Sequence, residues 1–300
     1  MNCLADLATQ AQRQVECAAT RRATPSPCVV PRGQLVALIT DPGERRYVLR
    51  MAGSHTKVVF ASSLADVLAY LRGSAVPPIA VILEARDAMG RPTAGLVRQI
   101  VRLFPNIPVV GFCFANTTQS KDILALASAG AHELLFKGQD DSQSALLATL
   151  TAARQACAAD LVYGSVSQFV PEGVHALVRH CLAYPRTSRT VNDVARAMGV
   201  HRKTLVNQCA AAHCPAPGTL IAWCQLLLAA QFLGAPGVTV EAIAHELDFP
   251  SATSLRNMLK RHTQLCPRQV RDGAGLQALV DLFRATLALG QRPPSSQMVG

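Results

Sequence analysis

At 300 residues, half of them apolar, the chain can bury two cores of ordinary size, which excludes a disordered chain and a single tiny core. A formal charge of +10 with only 16% charged residues is arginine-led and favours a polyanionic partner, either nucleic acid or an acidic membrane surface. Ten cysteines without a C-x-x-C pair exclude a dense disulfide scaffold, and the adjacent pairs His180-Cys181 and His213-Cys214 do not have the spacing of a tetrahedral metal site. The thiols are read as reduced and mostly as small core residues, and no metal is expected.

Residues 1–34 mix alanine, threonine and arginine and end in the proline-punctuated "ATPSPCVVPRG", the pattern of a poorly ordered lead. It has neither the continuous apolar core of a secretory signal nor a membrane span, and no other segment holds the roughly 18 apolar residues that a span needs. A cytoplasmic protein is expected.

From 35 to 158 short apolar runs alternate with amphipathic segments. "LVALIT" (35–40), "KVVFA" (57–61), "IAVILEA" (79–85), "IPVVGFCF" (107–114) and "HELLFK" (132–137) read as strands, and Ser63 with Asp66 reads as a capping box opening "LADVLAYLRG". Strands buried on both faces and joined by helices predict an α/β domain with a doubly wound parallel sheet, whose functional crevice lies at the carboxyl ends of the strands. Those ends supply Asp41, Glu84, Cys113 and Lys137.

This arrangement resembles the receiver domain of two-component response regulators, a flavodoxin-like fold. The resemblance implies a pair of acids after the first strand, a phosphate-accepting aspartate after the third, a hydroxyl after the fourth and a lysine after the fifth. Here Asp41 is one acid, Glu84 stands at the acceptor position, Cys113 or a neighbour replaces the hydroxyl, and Lys137 alone matches cleanly, followed by Gly138 rather than proline. Phosphoryl transfer depends on positioning and charge around a magnesium ion, so one fewer carboxylate and one more methylene both act against it. A pseudo-receiver that serves folding, dimerisation or partner binding is expected. Retained phosphate chemistry, with Asp87 as a displaced acceptor, is the alternative, and a small α/β enzyme with a helical interaction domain is a further one. No dinucleotide, P-loop or serine-elbow motif accompanies the crevice, and no cofactor is expected.

After residue 160 helical periodicity takes over, and residues 159–273 read as an all-α domain. "VPEGVHALVRHCLAY" (170–184) is amphipathic, and "RTVNDVARAMGVHRKTLVNQCAAAH" (189–213) carries a Thr190/Asp193 capping box and a turn at Gly199. The pattern repeats 49 residues on. Val191, Val194, Ala195, Met198 and Val200 correspond to Val240, Ile243, Ala244, Leu247 and Phe249. A small residue where two helices cross, flanked by aliphatics, is the core pattern of a helix-turn-helix. Between the units "GTLIAWCQLLLAAQFLG" (218–234) reads as one mostly buried helix of about 25 Å, a spacer suited to grooves about 34 Å apart.

In order, these segments resemble the AraC/XylS family of transcriptional regulators from about 170 to 271, with "CPRQVR" (266–271) similar to its closing signature. The resemblance implies a double helix-turn-helix that binds double-stranded DNA. Lys203, Val206 and Asn207, then Thr253, Ser254, Arg256 and Asn257, would face bases, while Arg202, Lys260 and Arg261 would meet phosphates. RNA polymerase and a second copy of the chain are the further partners considered, and no membrane is. Positive charge at the start of a helix, as at Arg202 and Lys203, opposes the macrodipole, and the basic residues of 252–262 are read as lacking partners within the protein. Departures from the family are Asp248 for the second-turn glycine, Gln225 for a linker arginine, and Cys214 and Gln264 where glycines follow the recognition helices. Residues 274–300 add an amphipathic helix whose stripe of Leu276, Leu279, Val280, Phe283 and Leu287 could form a dimer seam, although packing on the domain is the favoured reading.

Overall fold

Each of the five apolar runs forms a strand in the computed structural model, which describes residues 33–54, 56–114, 120–235 and 237–290. The expected lead over 1–32 lies outside the described residues. Gly33 and Gln34, placed in that lead from sequence, instead open the first strand, paired in register with Thr56 and Lys57. The strands are β1 (Gly33–Leu38), β2 (Thr56–Phe60), β3 (Ala80–Glu84), β4 (Val109–Phe114) and β5 (Glu133–Lys137). All pairs are parallel, in the order β2-β1-β3-β4-β5, so the expected doubly wound sheet is the one observed. The chain leaves β1 for one neighbour and returns to β3 on the other side, which places the switch point between those two strand ends.

Alternation along the strands sends side chains to two cores. Val36, Leu38, Val81, Leu83, Val109 and Cys113 pack beneath α2 (Leu64–Gly73), α3 (Ala94–Leu103) and α4 (Ser120–Ser128). Leu35, Ala37, Ile82, Val110 and Phe112 face α1 (Pro42–Ala52) and the first half of α5 (Gln143–Val166). At Gly111 in β4 the backbone lies close to its neighbours, and a Cβ there would come within 2.7 Å of a Leu134 methyl and 3.0 Å of a Leu126 methyl, so those side chains would have to shift. At α2, Ser63 Oγ accepts from Asp66 N at 3.1 Å, but the Asp66 carboxylate reaches Ser62 N rather than closing the expected box on Ser63.

The described residues divide into two units between Cys157 and Ala158, inside α5. That helix is long and apolar enough to cross a membrane by length and composition, which the count of apolar residues along the sequence did not register. Arg154 and Asp160 interrupt it, and 39% of its most apolar window is buried, with Leu146, Leu150 and Ala153 in the core of the sheet unit and Ala158, Val162 and Val166 in that of the helical unit.

The helical unit is built around α9 (Pro217–Leu233), in which 12 of 17 residues are buried, as expected of a helix apolar on every side. Pro171 stops the preceding segment, so the expected helix over 170–184 is one short 3-10 turn (Glu172–Val174) followed by α6 (His175–Ala183). The first helix pair is α7 (Val191–Ala197) and α8 (Arg202–Ala211); the second is α10 (Val240–Glu246) and α11 (Ala252–Thr263). The final helix, α12 (Gly275–Gly290), lies on α9 with Leu279, Val280, Phe283 and Leu287 buried, and Phe283 meets Trp223 at 5.7 Å between ring centres. The stripe packs on its own domain.

Candidate nucleic-acid interface and strand-end crevice

At the crevice, the four residues expected together have separate commitments. Asp41 is the N-cap of α1, its carboxylate accepting from Glu44 N at 2.9 Å, with Pro42 next to it in the first turn. Glu84 accepts from Thr40 N at 2.9 Å, and burial pushes its carboxyl above the usual range. Lys137 pairs with Glu44, a buried residue absent from the expected set, and its ammonium lies 5.2 Å from the Phe114 ring centre and 5.6 Å from that of Tyr47. Glu44 follows the Asp41 cap by three residues, where an acidic side chain reads as an ordinary first-turn residue, so its reach to β5 left no mark in the sequence.

Cys113 does not join the crevice. It is fully buried in the core under α2, α3 and α4, where desolvation pushes its thiol up to about 12, and the residue ending β4 beside Lys137 is Phe114. Asp87 is no better placed as an acceptor. One of its oxygens accepts from Met89 N and Arg91 N, both at 2.9 Å, the other from the Arg91 guanidinium at 2.8 Å, and these bonds hold its carboxyl below the usual range. Three carboxylates line the crevice: that of Asp41 caps a helix, that of Glu44 pairs with the lysine through one oxygen while its other oxygen is buried without a hydrogen-bond partner, and that of Glu84 holds a backbone N–H. Among the described residues no cluster of three or more histidine, cysteine or acidic side chains is placed to bind a metal.

In the helical unit both helix pairs are locally well specified. Thr190 and Asp193 form the full reciprocal box at the start of α7, and Thr239 caps α10 by accepting from Ala242 N. The two turns adopt the left-handed conformation, at Gly199 (φ 67°) and Asp248 (φ 59°). A non-glycine residue there costs about 1 kcal/mol or more, least for Asp and Asn. Among the residues that follow the recognition helices, His213 (φ 50°) and Gln264 (φ 61°) are left-handed, so in the first unit the turn falls on His213 rather than on Cys214.

Helix α8 buries Leu205 and Cys209 and exposes Arg202, Lys203, Val206 and Asn207; His201 caps it through Nδ1, which accepts from Lys203 N. Helix α11 buries Leu255 and Leu259 and exposes Thr253, Arg256, Asn257, Lys260 and Arg261. Ser254 is half-buried and bound to the Ser251 cap. Two basic residues of α11 do have partners in the protein, against the expectation from sequence. Arg256 pairs with Glu241 of α10 at 2.7 Å, and Lys260 Nζ donates to the Gln264 carbonyl at 3.1 Å. The second is the usual relief of a helix C-terminus by a lysine, and the first links two elements fifteen residues apart. Arg271, in the closing signature, donates to the carbonyls of Leu233 and Val238 and so ties the end of α9 to the entry of α10.

Residues 194–273 match the family model described as a helix-turn-helix domain. None of the curated proteins matches the chain. Among solved structures, the N-terminal signal receiver domain of a two-component response regulator from Bacteroides fragilis is similar at 24% identity, over 40% of this chain and 96% of that one, with a TM-score of 0.34. A CheY-like protein from Pseudomonas aeruginosa PAO1 is similar at 25% identity, over 39% and 98%, with a TM-score of 0.32. Full-length FixJ from B. japonicum is similar at 13% identity, over 78% and 98%, with a TM-score of 0.35. The parallel strand order described above carries the receiver-like assignment. The C-terminal unit carries an AraC-type helix-turn-helix domain, and the N-terminal unit is receiver-like in fold.

Proposed function

We propose that the chain is a sequence-specific transcription regulator that reads successive major grooves of DNA with α8 and α11, and that its receiver-like unit takes up no phosphoryl group. The observation that supports the first part is the pairing of two helix-turn-helix units on one buried helix, each presenting an exposed polar and basic face. Lys203, Val206, Asn207, Thr253, Ser254, Arg256 and Asn257 are assigned to bases, and Arg202, Lys260 and Arg261 to phosphates. The second part rests on Lys137 being neutralised by Glu44, on Glu84 bound to Thr40 N, and on the commitment of both Asp87 oxygens. Self-association and contact with RNA polymerase belong to the same proposal.

Selection of duplexes from a random DNA pool by the purified chain tests the first part. An enriched motif with two half-elements about one helical turn apart supports it; recovery of no motif overturns it. Intact-mass measurement after acetyl phosphate and magnesium tests the second. An unchanged mass is expected, and one added phosphoryl group abolished by Glu84→Gln or Asp87→Asn would sink it.

A further inference from the structure

The two helix-turn-helix turns solve the same backbone problem with different residues. Gly199 takes the left-handed conformation in the first turn, where an added Cβ would meet nothing within 4 Å. Asp248 takes it in the second, although a glycine would adopt it with less strain. What the aspartate adds is a partner. Arg189, the residue before the Thr190 cap of α7, donates from one guanidinium nitrogen to the Asp248 carbonyl at 2.7 Å and sets the other 3.3 Å from the Asp248 carboxylate. The pair joins the entry of the first unit to the turn of the second across 59 residues of sequence, by a route that bypasses α9.

We propose that Arg189 and Asp248 form a clasp that holds the two helix-turn-helix units in one mutual orientation and thereby fixes the spacing of half-elements the protein accepts. The inference rests on the DNA-reading function above. Both side chains are partly exposed, 48% and 40%, so the pair adds little to global stability. Its geometry is another matter, since a planar guanidinium that donates to the carbonyl and ion-pairs with the carboxylate of the same residue has a defined orientation. A strained residue retained where glycine would serve points to a role of this kind. Arg189 and Asp248 are positioning residues that need not touch DNA.

The test uses the full chain and the Arg189→Ala, Asp248→Gly and Asp248→Asn variants on duplexes in which the two selected half-elements are moved apart or together one base pair at a time. The wild type is expected to prefer one spacing. In Arg189→Ala the preference over neighbouring spacings falls by roughly two- to fivefold, the upper range of an exposed ion pair, while affinity for a duplex with a single half-element is unchanged. Asp248→Gly relaxes the turn and keeps the carbonyl acceptor, so it gives a partial loss of preference with no loss of melting temperature; Asp248→Asn falls between it and the wild type. A second arm needs no DNA. Spin labels on ketone-bearing residues at Gln208 and Arg261, exposed positions of α8 and α11, chosen because ten cysteines preclude thiol labelling, give the distance distribution between the recognition helices in solution. It broadens in Arg189→Ala. An unchanged distribution together with an unchanged spacing profile overturns the clasp while leaving DNA reading intact, and a wild type that binds no duplex overturns both.

Discussion

A guanidinium that already holds a carboxylate can still read a base if the new contact is the stronger. The exposed Arg256–Glu241 pair is a weak solvent-screened contact, whereas a bidentate contact to a guanine edge discriminates by about 1–3 kcal/mol, so the base contact assigned to Arg256 is the stronger. Arg256→Ala is therefore expected to lose about 1–3 kcal/mol on the selected duplex and little on random DNA. Lys260→Ala should weaken both duplexes equally and make the log–log salt slope shallower by about 0.9, because counterion release does not depend on sequence. Titrations of both variants on both duplexes across a salt series decide it, and equal losses for Arg256→Ala on the two would remove α11 from the groove in this orientation. Apart from Ser254, half-buried against the Ser251 cap, the outward positions of α11 were legible from helical periodicity; the Glu241 contact was not, because it depends on how α10 crosses α11. In the crevice, Glu84 gives a prediction with a definite sign. Its carboxyl is raised in the folded state, chiefly by burial, so the penalty for ionising it is absent below the unfolded-state value, grows as pH rises through the window up to the folded one, and is constant above. Glu84→Gln keeps an oxygen for Thr40 N and should raise the melting temperature at pH 7 to 8 but not at pH 4. A variant less stable than the wild type at neutral pH would show that the ionised carboxylate is needed there.

Among elements, α12 shows what a sequence stripe does and does not disclose. The spacing of Leu279, Val280, Phe283 and Leu287 specifies one buried face, but only the fold shows that this face covers α9 at Trp223 rather than a second chain. Phe283→Ala removes a fully buried ring from that contact and is expected to destabilise the helical unit by about 3–5 kcal/mol, read by denaturant titration followed through Trp223, the single tryptophan. A loss below about 1 kcal/mol would mean the helix is not part of the core. Strand β4 is the opposite case, since the information was present in the sequence. Period-two alternation places Cys113 on the face of Val109 and opposite Phe112, so its exclusion from the crevice follows from the strand itself. Locating it by the end of the apolar run, instead of by face, led to the wrong expectation. The strands and the two helix pairs were legible because each carries its own period and caps, while Glu44–Lys137 and Arg189–Asp248 are tertiary contacts between residues that look ordinary where they stand.

At the scale of the whole molecule, the buried residues form separate sets: the two faces of the sheet in one unit and the bundle around α9 in the other, with α5 supplying different residues to each. Among the described residues, no buried apolar residue belongs to more than one of these sets. A large-to-small change in one core should therefore leave the other standing, so two calorimetric transitions are expected instead of one. Ile100, fully buried under the sheet in α3, is the probe. Ile100→Ala should cost about 2–5 kcal/mol and lower only the transition of the sheet unit. Measured below both transitions, its affinity for the selected duplex should stay within about twofold of the wild type, because the groups assigned to DNA lie in the helical unit. The discriminating result is the joint behaviour of heat and binding. A single transition that shifts as a whole would show that the two cores unfold together, and a variant that keeps both transitions yet loses its duplex would show that the receiver-like unit takes part in DNA recognition.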